Sequence, residues 1–438
     1  MTRILVAGAG IAGLTTALAL GRAGFACDVI ERANELPTSG GGIQLSPNAT
    51  AELERLGVTL PPADVVHPAG RKLMRWRDGR VLGRVPLDIY RSPYLTVRRA
   101  TLCRALLAEV QRVQGPRAVR FGVRCTGVGV PGSAGPGTDR DAGGQRGSGG
   151  RPWSCAEGFA RLSDGSLWTG DLIVGADGLR STVRDGVDPA PVGHSGWAVY
   201  RCVIPAGRVG WGASGIPGTR RGRAGLGAQG ERFAIGGQGT AEVRVWLGPG
   251  RHCVVYPIDG GRALNLVAVV PAPVPPRAGR EVVAAEMLAE FGGWDPVLRA
   301  LMAVAGRVEL HGLAMRPAPK SRFSGPVVLV GDAAQPMLPF LAQGAAQGIE
   351  DAVALVACLR DDRGRMPATA SGWRNGLARY ERSRMPRAAR VAAMAAAGAV
   401  DHHLPDGPAQ RERDARLAAG TAELDWLYAP GAAAVMSR

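Results

Sequence analysis

Three glycines and an acid near the start of the chain have the types and spacing to hold a pyrophosphate and a ribose. In Gly8-Ala9-Gly10-Ile11-Ala12-Gly13, Gly8 permits a tight turn, Gly10 lets backbone approach a phosphate and Gly13 allows close helix–strand packing. Glu31 follows eighteen residues after Gly13, about where a carboxylate accepts from a ribose hydroxyl. Two more carboxylates stand at turns, Asp177 in Gly175-Ala176-Asp177-Gly178 and Asp332 in Gly331-Asp332-Ala333. Either alone reads as a turn aspartate capping a helix. Together with the glycine turn they suit the hydroxyls of one bound nucleotide. A different chemistry is on offer at His252, four residues before Tyr256. A neutral imidazole can draw a proton from a phenol near neutral pH; the bland alternative is a packed sheet histidine.

Particular elements must lie beneath these groups. Ile4-Leu5-Val6-Ala7 reads as a buried strand, and residues 14–20 have helical composition, with the helix N-terminus facing the phosphates. Val29-Ile30 is a second strand ending in Glu31-Arg32. The apolar runs Leu172 to Ala176 and Val327 to Val330 place Asp177 and Asp332 just past strand ends, where α/β sheets bind ligands. Gly225 to Gly230 repeats the glycine pattern with neither strand nor helix around it, and reads as a flexible loop. Strand alternation puts His252 and Tyr256 on one face, with Val254 between them.

The fold class that follows is α/β. A discontinuous Rossmann-like nucleotide domain (1–194 and 307–372) carries an inserted, mostly antiparallel sheet domain (195–306) and a helical C-terminal region (373–438). A hairpin turning at Asp78-Gly79 makes strands near 76–98 candidates for the second domain. Helices are expected at 280–291, 295–304 and 344–359. Residues 128–152, rich in Gly and Ser, read as a disordered insertion.

The net charge of +16 invites a nucleic-acid partner, but Lys72 and Lys320 are the only lysines. Scattered arginines beside abundant Ala and Gly look like the coding bias of a GC-rich genome, so no nucleic-acid partner is expected. Ile4 to Gly21 holds eighteen uncharged residues, which the nucleotide fold explains without a membrane span. Seven spread cysteines without CxxC suggest neither disulfides nor zinc, and point to a cytoplasmic home. No metal is expected. His402-His403 reads as a solvated pair near the tail.

With these segments in order, the chain resembles the single-component (group A) flavoprotein aromatic hydroxylases, nearest to the salicylate hydroxylase and 3-hydroxybenzoate 6-hydroxylase branch. The likeness runs through Gly42-Ile43-Gln44-Leu45-Ser46-Pro47-Asn48, Arg99-Ala100-Thr101-Leu102, Trp246 to His252, Leu338 to Ala345 and Asp425-Trp426-Leu427-Tyr428. The resemblance implies FAD held by Gly8, Gly10, Ala12, Gly13, Glu31, Arg32, Gln44, Arg99, Asp177, Asp332, Gly344 and Ala345. It implies NADH or NADPH as electron donor, with Asp177 serving both FAD and NAD(P)H and no separate nicotinamide domain. It implies His252, Tyr256 and Gln343 around the substrate, with His252 activating a phenol for attack on a flavin C4a-hydroperoxide. Helix N–H groups at Gln343-Gly344-Ala345 would favour the anionic reduced flavin.

The expected activity is NAD(P)H-consuming monooxygenation of a phenol or aromatic carboxylate, using O2, by a monomer or homodimer. Arg201 or Arg251 is a candidate to hold a substrate carboxylate. Rival readings are an oxygenase or epoxidase of a larger natural product and a flavin-binding protein without turnover. The chain departs from the family at Arg98 and Gln335, where His is frequent, and at Gln347-Gly348, where Met-Ala is common. Residues 206–240 are also unlike the family, being rich in Arg and Gly.

Overall fold

The computed structural model describes residues 2–38, 40–129, 158–209, 241–277, 279–361, 363–420 and 424–429. Ile4–Ala7 is a strand with every residue buried, paired in parallel with Asp28–Glu31 on one side and Leu172–Gly175 on the other. Val327–Leu329 adds in parallel beyond Leu172–Gly175. Parallel strands covered on both faces carry continuous apolar runs, and these do. With Val119–Phe121 and Phe323–Ser324 they make a six-stranded sheet among the described residues. Ile11–Arg22, Arg99–Gln114 and Gly344–Leu359 are helices that share one apolar core against it, through Leu14, Leu106 and Ile349.

The second sheet has eight described strands, in the order Arg280–Val282, Val308–Met315, Gly193–Pro205, Ala263–Pro271, Arg251–Ile258, Glu242–Gly248, Gly70–Arg75, Val81–Pro86. Neighbours are antiparallel except where Glu242–Gly248 meets Gly70–Arg75. The hairpin around Gly79 therefore belongs to this sheet, and Val308–Met315 joins it from beyond residue 306. Residues 280–282 are an edge strand where a helix was expected; the helices are Ala284–Glu290 and Pro296–Ala303. Val128 and Gly129, expected inside an insertion, close the strand Cys125–Gly129. The rest of 128–152 lies outside the described residues, as does Gly225 to Gly230.

The two faces of the second sheet have different partners. Cys253, Val255 and Leu266 pack against Met287 and Leu298 of the two helices. Val199, Val269 and Leu313, on the opposite face, pack against Phe340, just before the Gly344–Leu359 helix. The nucleotide domain thus covers one face of the sheet, and the junction between them holds the residues of interest. A 32-residue helix, Ala370–Asp401, crosses this junction, burying Leu377, Tyr380 and Val391. Its C-terminal end is pinned to the sheet where Gly250 N donates to the His403 carbonyl at 2.9 Å.

Candidate active site

The glycine turn is dictated by contact as well as by dihedral angle. Gly8 has φ +107°, and a Cβ there would stand 2.5 Å from the Ala176 carbonyl oxygen. At Gly13 a Cβ would fall 1.8 Å from the Gly8 oxygen, which no relaxation accommodates. Gly10 is the opposite case: nothing lies within 4 Å of a Cβ built there, at the N-cap of the first helix. Open space in front of free N–H groups is what a pyrophosphate requires. Glu31 accepts from Ala9 N at 2.8 Å and Ala33 N at 2.9 Å, which fixes its carboxylate beside the turn with lone pairs to spare. Arg32 beside it is exposed.

Asp332 stands where the sheet meets the helix Gly344–Leu359. Its side chain is accessible, yet desolvation by surrounding protein raises its pKa, with Arg99 opposing the rise. Both observations describe a carboxylate on the floor of an open cleft. A Cβ at Gly344 would be 3.9 Å from Asp332 Oδ1, so the helix begins at the same spot. Ala12 holds the first helix to it: Cβ atoms at Gly331 and Gly348 would lie 2.8 and 3.2 Å from the Ala12 Cβ. The glycine at 348 is the counterpart of this close approach. Ala345 is partly buried against the same core. Asp177 caps the short helix Thr182–Asp185, accepting from Ser181 Oγ and from Thr182 N at 2.8 Å.

Beneath the cleft is a buried ionic network that the sequence reading missed. Arg384 donates from Nε to Asp351 Oδ1 at 2.7 Å, from Nη1 to Glu350 and from Nη2 to Gln347 Oε1 at 2.8 Å. Arg387 grips Glu350 through Nε at 2.7 Å, and Arg322 reaches Asp351 at 2.9 Å. Burial alone raises both acids, but the arginines prevail and leave both pKa values lowered. Gln343 caps this network. Its Nε2 donates to Ser46 Oγ at 2.8 Å and its Oε1 accepts from Asn48 at 3.3 Å. Of the departures, Gln347 is part of the network, while Arg98 pairs with Asp259 at 2.6 Å and Gln335 N donates to Gly331 O at 2.8 Å.

His252 and Tyr256 share the cofactor-side face of the strand Arg251–Ile258, opposite Cys253 and Val255. Tyr94 and Gln44 lie behind Tyr256: Tyr94 donates to Gln44 Oε1 at 2.8 Å, and burial raises the Tyr256 pKa so that it stays protonated. His252 is 2% exposed. Phe340 meets it edge-on at 5.1 Å, and His402 lies 5.0 Å away. Its Nδ1 is 2.7 Å from His403 Nε2. Burial, with His402 and His403 adding to it, lowers His252 well below the ordinary histidine value, so it is neutral. His402-His403 is thus not a solvated pair: the end of the long helix carries both into the core, and Trp197 stacks on His403 at 4.1 Å.

The two candidate arginines separate by face. Arg251 is paired with Glu290 at 2.5 Å, on the side of the helix Ala284–Glu290 and away from His252, so it is not placed to anchor a substrate beside His252. Arg201 lies in register with Val267, which in turn faces Val254, so it shares the face of His252 and Tyr256. Burial lowers its pKa, Tyr256 opposes this and Arg99 adds to it. Arg99 thus stands near Asp332 and near Arg201, joining the cofactor cleft to the sheet face.

The chain is similar to known proteins over most of its length. A family model described as FAD binding domain matches residues 3–117, and another of the same description matches 308–395. The chain is 35% identical to 3-amino-4-hydroxybenzoate 2-monooxygenase of Streptomyces cremeus, over 97% of this chain and 94% of that one. The chain belongs to the FAD-dependent aromatic monooxygenases. Another relative, 3-hydroxybenzoate 6-hydroxylase 1 of Aquipseudomonas alcaligenes, is 32% identical over 89% of this chain and 86% of its own. A salicylate hydroxylase substrate complex superposes with a TM-score of 0.76 at 20% identity, covering 100% of this chain and 98% of that one.

For a monooxygenase of this family, the cradle fits FAD: open backbone at Gly10, fixed Glu31, and Asp332 with Gly344 at the far end. Among the described residues no helix is long and apolar enough to cross a membrane. Replacing Asp332 with alanine removes the accessible carboxylate. The purified variant is expected to be colourless or weakly yellow, with FAD affinity reduced about 10–100-fold, the worth of a charged hydrogen bond. Full flavin absorbance after gel filtration would refute that role.

Proposed function

We propose that this monooxygenase hydroxylates a benzoate whose ring bears a hydroxyl group, alone or beside an amino group, with NADH or NADPH as reductant. Bound FAD supplies the redox chemistry, taking electrons from the nicotinamide and delivering one oxygen atom from O2. The chain's own residues orient the ring and manage its proton. One observation carries the reading: a single sheet face presents Arg201, Tyr256 and His252 to the cleft that Arg99 shares with Asp332. The relatives named for aminohydroxybenzoate and hydroxybenzoate agree with it.

Each group has a distinct task. Glu309, the cross-strand neighbour of Arg201, is engaged by Arg307 at 3.1 Å and His311 at 3.2 Å, and Arg201 has no ion-pair partner among the described residues. A planar guanidinium left with its donors suits a carboxylate. Neutral His252 accepts the ring hydroxyl proton, which makes the ring electron-rich. Protonated Tyr256 donates a hydrogen bond but cannot act as the base. Phe340 and Trp197 wall the site and exclude water.

The test is a panel of aminohydroxybenzoates, hydroxybenzoates and the matching phenols lacking the carboxylate. NAD(P)H oxidation by the FAD-loaded protein is followed, and products are identified by mass spectrometry. The reading fails if no benzoate both stimulates oxidation and gains an oxygen atom. Arg201→Ala is expected to raise KM for the benzoate about 10–100-fold and leave KM for the phenol unchanged. An equal change for both would remove Arg201 as the anchor.

A further inference from the structure

His252 and His403 are 151 residues apart in sequence, yet their rings meet nitrogen to nitrogen. The centroids are 4.9 Å apart and the nitrogens 2.7 Å, as two five-membered rings joined in line by one hydrogen bond require. The rings are tilted by only 30°. One proton lies between two nitrogens, so one ring donates and the other accepts. The far side of His403 decides which. Its Nδ1 is 2.7 Å from the Ala399 carbonyl oxygen, and a carbonyl can only accept. His403 therefore carries its proton on Nδ1. Burial lowers its pKa to about 4, so near neutral pH it holds no second proton and Nε2 is a bare acceptor.

We propose that His403 is a positioning residue: by accepting from His252 Nδ1, it fixes His252 in the tautomer whose bare nitrogen is Nε2. That nitrogen makes no hydrogen bond to any described residue. This rests on His252 as the base of the proposed reaction. In that step the ring O–H bond breaks and an N–H bond forms at Nε2, leaving a phenolate beside an imidazolium still hydrogen-bonded to His403. Opposite tautomerism would put a proton where the base needs a lone pair. The titratable groups around the pair are His402, whose Nδ1 is buried without a partner among the described residues, and Arg71 and Arg413 behind it. Trp197 packs over the His403 ring at 4.1 Å, tilted by 31°, and the Gly250 N–H to His403 carbonyl bond fixes its backbone.

The experiment reads the tautomer directly. The FAD-loaded protein, labelled with 15N-histidine, contains six histidines. Long-range proton–nitrogen correlation spectra distinguish a protonated from a bare ring nitrogen, and His252→Gln assigns the signal. Wild-type His252 is expected to carry its proton on Nδ1. His403→Gln, whose amide oxygen can accept at the same place, should preserve that state. His403→Phe keeps a flat ring against Trp197 but offers no acceptor, and should give a mixture or the Nε2–H form. A wild-type Nε2–H tautomer, or an unaltered spectrum in His403→Phe, overturns the proposal. With a substrate found by the panel above, His403→Phe should also lose at least about tenfold in hydroxylation rate, part of what general-base catalysis supplies, and His403→Gln should regain it. The spectra need no substrate, so failure of the panel and failure of the tautomer assignment are separate results.

Discussion

His252→Ala is expected to lower the rate of substrate hydroxylation by about 10²–10⁴-fold, the usual contribution of a positioned general base, in a protein that stays yellow. The cradle at Gly10, Glu31 and Asp332 does not include His252, so FAD uptake and NAD(P)H oxidation should persist. Reductant would then be consumed without matching product. The measurement is the ratio of hydroxylated product to NAD(P)H oxidised, and a wild-type ratio and rate would remove His252 from the reaction. The pH profile adds a second check. Burial first, then His402 and His403, holds His252 well below 6.5, so the base should not be lost by protonation until well below that pH. Stability follows the opposite demand. His402 and His403 are lowered to about 3 and about 4, so below about 6.5 the unfolded chain binds protons that the folded one refuses. Thermal stability should therefore fall as pH drops from 6.5 toward 4, and this part of the loss should shrink in His402→Gln.

Arg384→Ala is expected to destabilise the protein by about 3–5 kcal/mol, because it strands buried carboxylates with less than their charge balanced. Arg384 is fully buried and is the group common to Glu350, Asp351 and Gln347. Arg387 still covers Glu350 and Arg322 still covers Asp351, so the variant should fold with a lowered Tm. Arg384→Lys returns the charge without the planar fork and should recover part of the loss. Denaturant unfolding of the FAD-loaded proteins checks this. A change under 1 kcal/mol for the alanine variant would mean that the network is not a stabilising centre. Because the network lies on the Gly344–Leu359 helix, weaker FAD retention should accompany the loss.

What the chain revealed in advance was local. The strand, glycine turn, helix and Glu31 lie within about thirty consecutive residues, and periodicity reads such a unit directly. The alternation linking His252 to Tyr256 was equally visible, and it also held the answer for Arg251: an immediate neighbour of His252 in a strand points the other way. What stayed hidden depended on distant partners. Glu350-Asp351 inside an apolar helix was a signal of buried charge, yet nothing local tied it to Arg384 and Arg387 on another helix. Likewise His402-His403 at a helix end looks like any solvated pair until the docking of that helix is known. Residues 280–282 form a strand despite a helical composition because they pair at an edge with Val308–Met315, a tertiary contact that overrides local preference.

The end of the Ala370–Asp401 helix divides the molecule's chemistry by chain position. Every residue expected to touch the nucleotide precedes residue 346, whereas the partner of the proton acceptor arrives only at 403. A substitution confined to position 403 would leave each of those nucleotide contacts in place while removing the group that orients the imidazole. The same division makes the last turn of that helix a place where acid–base behaviour can be retuned, by engineering or by drift, with flavin capture left intact.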